Sequence, residues 1–253
     1  MRLNSDHLAP HLQRQLAPLY TIMGDELLLA VEAADLIRAA ARQAGYIGRE
    51  IFMVDHRFNW ADLQQRSSSL SLFGERRIMD LRIPSGKPGI QGGAAIEEYC
   101  RLLPTDTLTL ITLPKIDKRG SATKWFKALE ETGAMILASP VERNRLPAWI
   151  GQRLGLQKQK AAPDILQFLA DKVEGNLLAA HQEIKKLALL YPAGALSFNQ
   201  VKDAVLDVAR YDVFKLSNAM MTADTIRYTR ILEGLRGEGT ALPFIVVTLS
   251  GHI

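Results

Sequence analysis

The run Thr107-Leu108-Thr109-Leu110-Ile111-Thr112-Leu113, closed by Pro114, narrows most what this chain can fold into. It is β-branched and apolar almost throughout, so the strand it predicts demands cover on both faces. Four more runs read as strands: Leu19-Tyr20-Thr21-Ile22-Met23, Glu50-Ile51-Phe52-Met53-Val54, Arg77 to Ile83 with mixed alternation, and Ala134-Met135-Ile136-Leu137-Ala138. Helical stretches separate them. One opens at Asp25 or Glu26 and runs to Ala44, where Gly45 stops it. Others are Trp60 to Gln65 with Asn59 as cap, Ala94 to Leu103, and Thr123 to Glu131. Five strands alternating with helices predict an α/β fold, a mostly parallel sheet between helices. Leu3 to Leu16 reads as a further helix. Pro84 to Gly93 holds two Pro and four Gly and reads as a mobile loop.

Composition changes at Ser139-Pro140, and beyond it nothing reads as strand. Pro147 suits the first turn of a helix, Pro163-Asp164 opens another through Val173, and Asn176 to Leu190 is a third. On that third helix Leu177, Leu178, Ile184, Leu187 and Leu190 read as one apolar stripe. Ser197 caps a fourth helix, and Asp212–Met221 with Asp224–Leu235 forms a helix pair. The expected organisation is an α/β domain over 1–139, all-α domains over 140–209 and 210–253. Phe244, Ile245, Val246 and Val247 find no amphipathic partner later in the chain, so the last domain is expected to be incomplete.

Several chemistries are disfavoured. The single cysteine, Cys100, permits no internal disulfide and no thiolate metal cage. The N-terminus lacks a signal-like apolar core and no run is long enough to span a membrane, which points to a cytoplasmic protein. After the first strand, Gly24 is followed by Asp25 and Glu26. A phosphate loop needs several glycines, a Lys and a Ser or Thr there, and two carboxylates repel phosphate. No Ser-His-Asp arrangement and no Gly-x-Ser-x-Gly appears.

Two features invite a binding role. Ser68-Ser69-Leu70-Ser71-Leu72-Phe73-Gly74 sets large apolar residues among small flexible ones. It reads either as a tip offered to a partner pocket or as a loop that tucks Leu72 and Phe73 back into its own domain. Lys115, Lys118, Arg119 and Lys124 form a basic patch, either a solvated loop or a surface facing DNA or phosphate. The net charge of +4 is compatible with nucleic acid as a neighbour.

Five segments, taken in order, resemble the delta-subunit family of the bacterial DNA polymerase III clamp loader. They are Tyr20-Thr21-Ile22-Met23-Gly24-Asp25-Glu26-Leu27-Leu28-Leu29, Ser71-Leu72-Phe73, Trp125-Phe126-x-Ala128-Leu129, Leu146-Pro147-x-Trp149-Ile150 and Glu174-Gly175-Asn176-Leu177-Leu178-Ala179. The resemblance spans nearly the whole chain. It implies an AAA+-like α/β domain over 1–139, a helical lid over 140–209 and the start of a helical collar over 210–253. It also implies no bound ATP or other cofactor and no catalytic site. The chain would be a subunit of a DNA-directed DNA polymerase holoenzyme, a nucleotidyltransferase by membership of the complex. The implied partners are the beta sliding clamp, the gamma/tau and delta prime subunits and, through the complex, primed DNA; no membrane is implied. Family members open the clamp by wedging a Leu-Phe pair into a pocket on its surface. Leu72 and Phe73 match that pair, with Leu70 and Ser71 beside it, and Ser68 stands where the family often has Gln. Burying the pair is worth about 3–6 kcal/mol gross, and micromolar binding needs roughly 8 net, so neighbours such as Leu70, Arg76 and Arg77 must contribute. Two other readings stay open, a divergent AAA+ or P-loop ATPase and a basic DNA-binding helical module.

Overall fold

Each of the five expected strands forms, and a sixth joins them. The computed structural model describes residues 1–61, 63, 76–205 and 213–250. The chain divides into two units, Met1–Ser139 and Pro140–Ile253. In the first, β1 (Arg2–Asn4), β2 (Leu19–Met23), β3 (Tyr46–Met53), β4 (Arg76–Arg82), β5 (Thr107–Leu113) and β6 (Ala134–Leu137) lie in the order β1-β6-β2-β5-β4-β3. Every pairing is parallel. Parallel neighbours need crossovers, and helices α1 (Ser5–Arg14), α2 (Leu27–Gln43), α3 (Gly89–Arg101), α4 (Lys118–Ser121) and α5 (Lys124–Thr132) lie in the connections.

Side-chain alternation sends the strands' residues to two buried faces. Leu19, Met79, Leu81, Ile111 and Met135 meet Ile96, Tyr99 and Cys100 of α3 and Phe126 and Leu129 of α5. On the other face His11 of α1 hydrogen-bonds the Tyr20 hydroxyl and Arg38 of α2 reaches Asp80. Ile22, Ile78, Leu108, Leu110 and Ile136 are buried. This is the doubly covered sheet that the apolar run at Thr107–Leu113 required.

Two expectations in this unit are corrected. The helix expected from Leu3 begins at Ser5, and Arg2–Asn4 before it is strand. That strand pairs with Met135–Leu137, and Arg2 makes an ion pair with Glu130, partners too distant in sequence for local periodicity to reveal. The Pro/Gly-rich stretch also gives up its second half to α3, which starts at Gly89. Gly92 and Gly93 are small because aromatic rings lie against them: a methyl on Gly92 would sit 2.5 Å from Cε2 of Trp60, and one on Gly93 3.2 Å from Cδ1 of Trp125. Here glycine marks close packing inside a helix, not a loop.

In the second unit, a 3₁₀ turn (Arg143–Arg145) leads into α6 (Leu146–Leu156), α7 (Pro163–Val173) and α8 (Leu177–Leu190). Asn176 caps α8 through the Ala179 N–H. The buried stripe of α8 is Leu177, Ala180, Ile184 and Leu187; Leu178 and Leu190 are exposed and do not belong to it. Two short strands, β7 (Gln159–Ala161) and β8 (Gly194–Leu196), form a parallel ladder where none was expected. Its cohesion comes from the buried Gln159 amide, which donates to the carbonyls of Leu187 and Tyr191, and not from an apolar run. Ser197 and Gln200 form a reciprocal capping box on α9 (Phe198–Ala204). Helices α10 (Val213–Met221), α11 (Thr225–Gly237) and α12 (Leu242–Ser250) then bury Val213, Leu216, Ala219, Ile231, Leu235 and Ile245 together. Ile245 thus has partners within the chain, while Phe244, Val246 and Val247 are exposed.

Candidate functional site

The first strand–turn–helix is closed by its own side chains. After β2, the Gly24 N–H donates to the Leu113 carbonyl, and the Glu26 N–H donates to the Ala138 carbonyl. Only glycine fits at 24: with φ at +151°, an added methyl would lie 2.5 Å from the Ala138 carbonyl carbon. Asp25 Oδ1 accepts the Lys115 N–H at 2.9 Å, and Glu26 accepts the Leu28 N–H at the start of α2. The positive end of that helix therefore already faces a carboxylate. Burial raises the Glu26 pKa, and the Leu28 N–H opposes the shift. Where a phosphate loop would gather free N–H groups, this turn offers two carboxylates.

The same end of the sheet carries the basic patch. Lys115 follows β5 beyond Pro114, Lys118 and Arg119 lie on the single turn α4, and Lys124 opens α5. All four are exposed. The backbone beneath them is held by the Asp25–Lys115 bond and by Asp117, which accepts the Gly120 N–H at 2.6 Å. The four cations thus stand along one ten-residue stretch whose backbone is fixed and whose charged ends face water.

Leu70, Ser71, Leu72 and Phe73 lie outside the described residues. Both flanks of that segment are described. On the way in, Phe52, Phe58 and Trp60 stack edge to face, with ring centres 6.3 and 5.0 Å apart, and Leu63 is buried in the same core. On the way out, Arg76 donates to the Ala44 carbonyl and lies over the Tyr46 ring. The Arg77 N–H donates to the Asp106 carbonyl, and its guanidinium lies 3.6 Å from Glu50. These two arginines, expected to supply contacts to a partner, are fastened to their own domain.

Sequence reasoning missed two charged clusters. In the first unit, Asp80 lies in mid-sheet, 1% exposed, and accepts from Arg38, Arg49 and Arg82. In the second, Arg143 meets Asp224 at 3.1 Å, Asp171 at 3.3 Å and Glu174 at 3.6 Å. Arg227 pairs with Glu174 at 2.7 Å and Arg230 with Asp171 at 3.1 Å. Burial works against the Arg143 charge, but the bonds to Asp224 and Asp171 prevail and raise its pKa. The partners come from the 3₁₀ turn, α7 and the region of α11. No spacing rule joins residues so far apart in sequence. The one local signal was the acid–Arg step from Asp224 to Arg227, which is a helix cap.

Comparison with known proteins gives a consistent result. The family described as DNA polymerase III, delta subunit matches residues 20–139. The DNA polymerase III subunit delta of Escherichia coli is 29% identical over 256 residues, covering 100% of this chain and 74% of that protein. The Haemophilus influenzae protein of the same name is 28% identical with the same coverage. Among solved structures, the DNA clamp loader delta protein of Bacillus subtilis superposes with a TM-score of 0.61 at 18% identity, covering 98% of this chain and 76% of that one. At that identity the superposition speaks for the fold.

Proposed function

We propose that this chain, which matches the DNA polymerase III delta-subunit family over residues 20–139, is a delta subunit that binds a ring-shaped sliding clamp and opens it for loading onto primed DNA, without using ATP itself. The observation that carries the reading is the family match over residues 20–139, which includes Ser71-Leu72-Phe73 and its two fastened flanks. Leu72 and Phe73 act as the wedge, entering an apolar pocket on the clamp, with Leu70 and Ser71 beside them. The turn at Gly24 supports the ATP-independent part, because Asp25 and Glu26 take the donors a nucleotide would need. Opening then follows from differential affinity: only a subunit that binds the open ring more tightly than the closed one shifts the ring toward open. ATP-driven steps belong to other subunits of the loader.

The proposed organisation is a clamp-binding α/β domain over 1–139, a lid over 140–209 and the start of a collar over 210–253. The chain works as a non-catalytic member of the polymerase holoenzyme, beside gamma/tau and delta prime subunits. Lys115, Lys118, Arg119 and Lys124 face DNA phosphates within the complex. No helix among the described residues is long and apolar enough to cross a membrane.

The test is equilibrium binding of the chain to a purified sliding clamp. Replacing Leu72 and Phe73 together with alanine is expected to weaken binding by about 100-fold or more, because 3–6 kcal/mol of burial is lost. Circular dichroism should remain unchanged. Undiminished binding by a folded double variant would sink the reading.

A further inference from the structure

We propose that the outer edge of β3 is a docking site for an extended, acidic segment of a partner protein, which joins the six-stranded sheet as one more strand. The segment sets a carboxylate against Arg49 and apolar side chains against Ile51 and Met53. The inference stands apart from the clamp-binding reading and uses a different part of the α/β unit. Three observations carry it.

The first is an open backbone. β3 ends the sheet order, and among the described residues only β4 pairs with it. At the close of that ladder the Val54 N–H donates to the Arg82 carbonyl. Backbone directions alternate along a strand, so the N–H and carbonyl groups of Arg49, Ile51 and Met53 point away from β4. Edge strands are commonly kept very short or blunted with Pro or Lys. β3 is 8 residues long and contains neither, and its register shift lies at Tyr46/Gly48, before this stretch.

The second is what the same residues show to solvent. Alternation puts Arg49, Ile51 and Met53 on one face, where Ile51 stands beside Asp80 and Met53 beside Arg82. Ile51 is 53% exposed and Met53 51%, whereas Phe52 between them packs into the core beneath the other face. Helix α2 reaches this face through Arg38 but leaves both side chains open to water. A strand laid along β3 brings its own side chains roughly 5 Å from them and shields them.

The third is charge, and it selects the occupant. Arg38, Arg49 and Arg82 share the buried Asp80, and Asp35 adds a second carboxylate, paired with Arg38. The acid at the centre is hidden, while Arg49 and Arg82 reach solvent, so the surface here is cationic. A carboxylate from outside can take Arg49 while Asp80 keeps Arg38 and Arg82. Asp55, two residues beyond Met53, repels an acid at that end. The partner segment therefore carries its acid beside Arg49 and apolar residues at the second and fourth places along. Nucleic acid phosphates would use the arginines but give Ile51 and Met53 nothing to pack against.

The experiment titrates the full chain with two labelled peptides of about seven residues, the length of a strand. Each has one glutamate, with valine at the second and fourth places after it in one peptide and before it in the other, and threonine elsewhere. The pair covers parallel and antiparallel addition. One of them should bind, and lysine in place of its glutamate should abolish binding. Arg49→Gln is expected to weaken binding by about tenfold, for one lost charge-assisted bond, and Ile51→Lys by at least about as much, by charging the edge. Both positions are partly exposed, and circular dichroism should show both variants folded. In amide exchange followed by NMR, the peptide should protect the N–H groups of Arg49, Ile51 and Met53 and leave Glu50 and Phe52 unchanged. The inference is overturned if neither peptide binds, or if both folded variants bind the peptide like wild type. It is also overturned if the free chain sediments as a dimer that Ile51→Lys splits, because a second copy then fills the edge. Oligothymidylate bound through Arg49, with no peptide bound, would assign the edge to nucleic acid and overturn it too. Arg49→Gln and Ile51→Lys should bind the sliding clamp like wild type, so failure of the peptide test leaves the clamp-binding reading standing.

Discussion

Each unit of this chain buries charge, and the two do so by different plans. In the α/β unit one carboxylate is a hub: Asp80 serves Arg38, Arg49 and Arg82 together. In the helical unit the charges form a mesh. Arg143 pairs with three carboxylates, Asp171 with two arginines and Glu174 with two. A hub concentrates its interactions in one side chain. In a mesh the shared charges keep a partner when one node is lost: without Glu174, Arg143 still has Asp171 and Asp224. The difference suits the settings. Asp80 sits inside β4, which ladders to β3 and β5 also hold in place. The mesh joins a 3₁₀ turn, α7 and the start of α11, which share no ladder.

The plans can be broken separately, and the hub should cost more. Asp80→Ala removes all three ion pairs at once and leaves guanidinium groups facing one another. Arg49 and Arg82 are partly exposed and can turn to water, whereas Arg38, only 11% exposed, is left with its pair to Asp35 alone. The expected loss is about 3–5 kcal/mol of stability, as for removal of one partner from a buried pair. Cys100 offers a direct readout. Burial pushes its thiol pKa up to about 11, with the Thr132 side chain opposing the shift, so the folded protein should resist thiol reagents at pH 8. Asp80→Ala should raise the labelling rate of this sole thiol. If its denaturation midpoint matched wild type, Asp80 would not be the hub of this unit.

A single node of the mesh should matter less. Glu174→Gln keeps the shape and leaves Arg227 its Asn218 contact and Arg143 its other two acids. The expected cost is about 1.5–3 kcal/mol, the range for hydrogen bonds to charged groups. It should appear as faster amide exchange in Val213–Met221 and Thr225–Gly237. Combining it with Arg227→Gln should cost less than the sum of the single changes, because both remove the same pair. Strict additivity would reduce the mesh to independent contacts.

Both charged clusters were illegible in the sequence, for the same reason that much of the fold was legible. Thr107–Leu113 and Pro163–Val173 occur at their expected bounds because a β-branched run and a proline at the first turn act locally. The caps at Asn176 and Ser197 are local as well. Arg2–Asn4 and the Gln159–Ala161 ladder take their structure from partners far along the chain, and no periodicity marks them. Gly92 and Gly93 misled because glycine reports missing space as readily as a loop, and only the Trp60 and Trp125 rings reveal which. In the candidate site, the carboxylates after Gly24 announced a turn hostile to phosphate, and the exposure of the basic patch agrees with its composition. Sequence does not show that Ala44 lies beside Arg76, or Asp106 and Glu50 beside Arg77.

The smallest predicted effect tests the outermost node of the mesh. Asp224 caps α11 by accepting the Arg227 N–H at 3.0 Å, and it pairs with Arg143. The Arg227 N–H is the main cause that holds the Asp224 pKa below the ordinary carboxylate value; Arg143 adds to it and desolvation opposes it. A carboxylate depressed on folding contributes stability that is fully present above its unfolded pKa, about 3.9, and is lost as pH falls through the folded value. Between pH 7 and pH 5 this contribution should therefore stay constant, and it should decline only below about pH 4. Asn caps a helix about as well as Asp, so Asp224→Asn retains the cap and removes only the charge. Because Asp224 is partly exposed, the cost at pH 7 should stay below about 1 kcal/mol. The more telling expectation concerns the slope: α11 in the Asn variant should lose less protection between pH 4 and pH 2.5 than in wild type, measured by amide exchange across Thr225–Gly237. Equal acid sensitivity in the two proteins would show that Arg143 draws its stabilisation from Asp171 and Glu174, and α11 would be tied to the mesh through Arg227 and Arg230 instead.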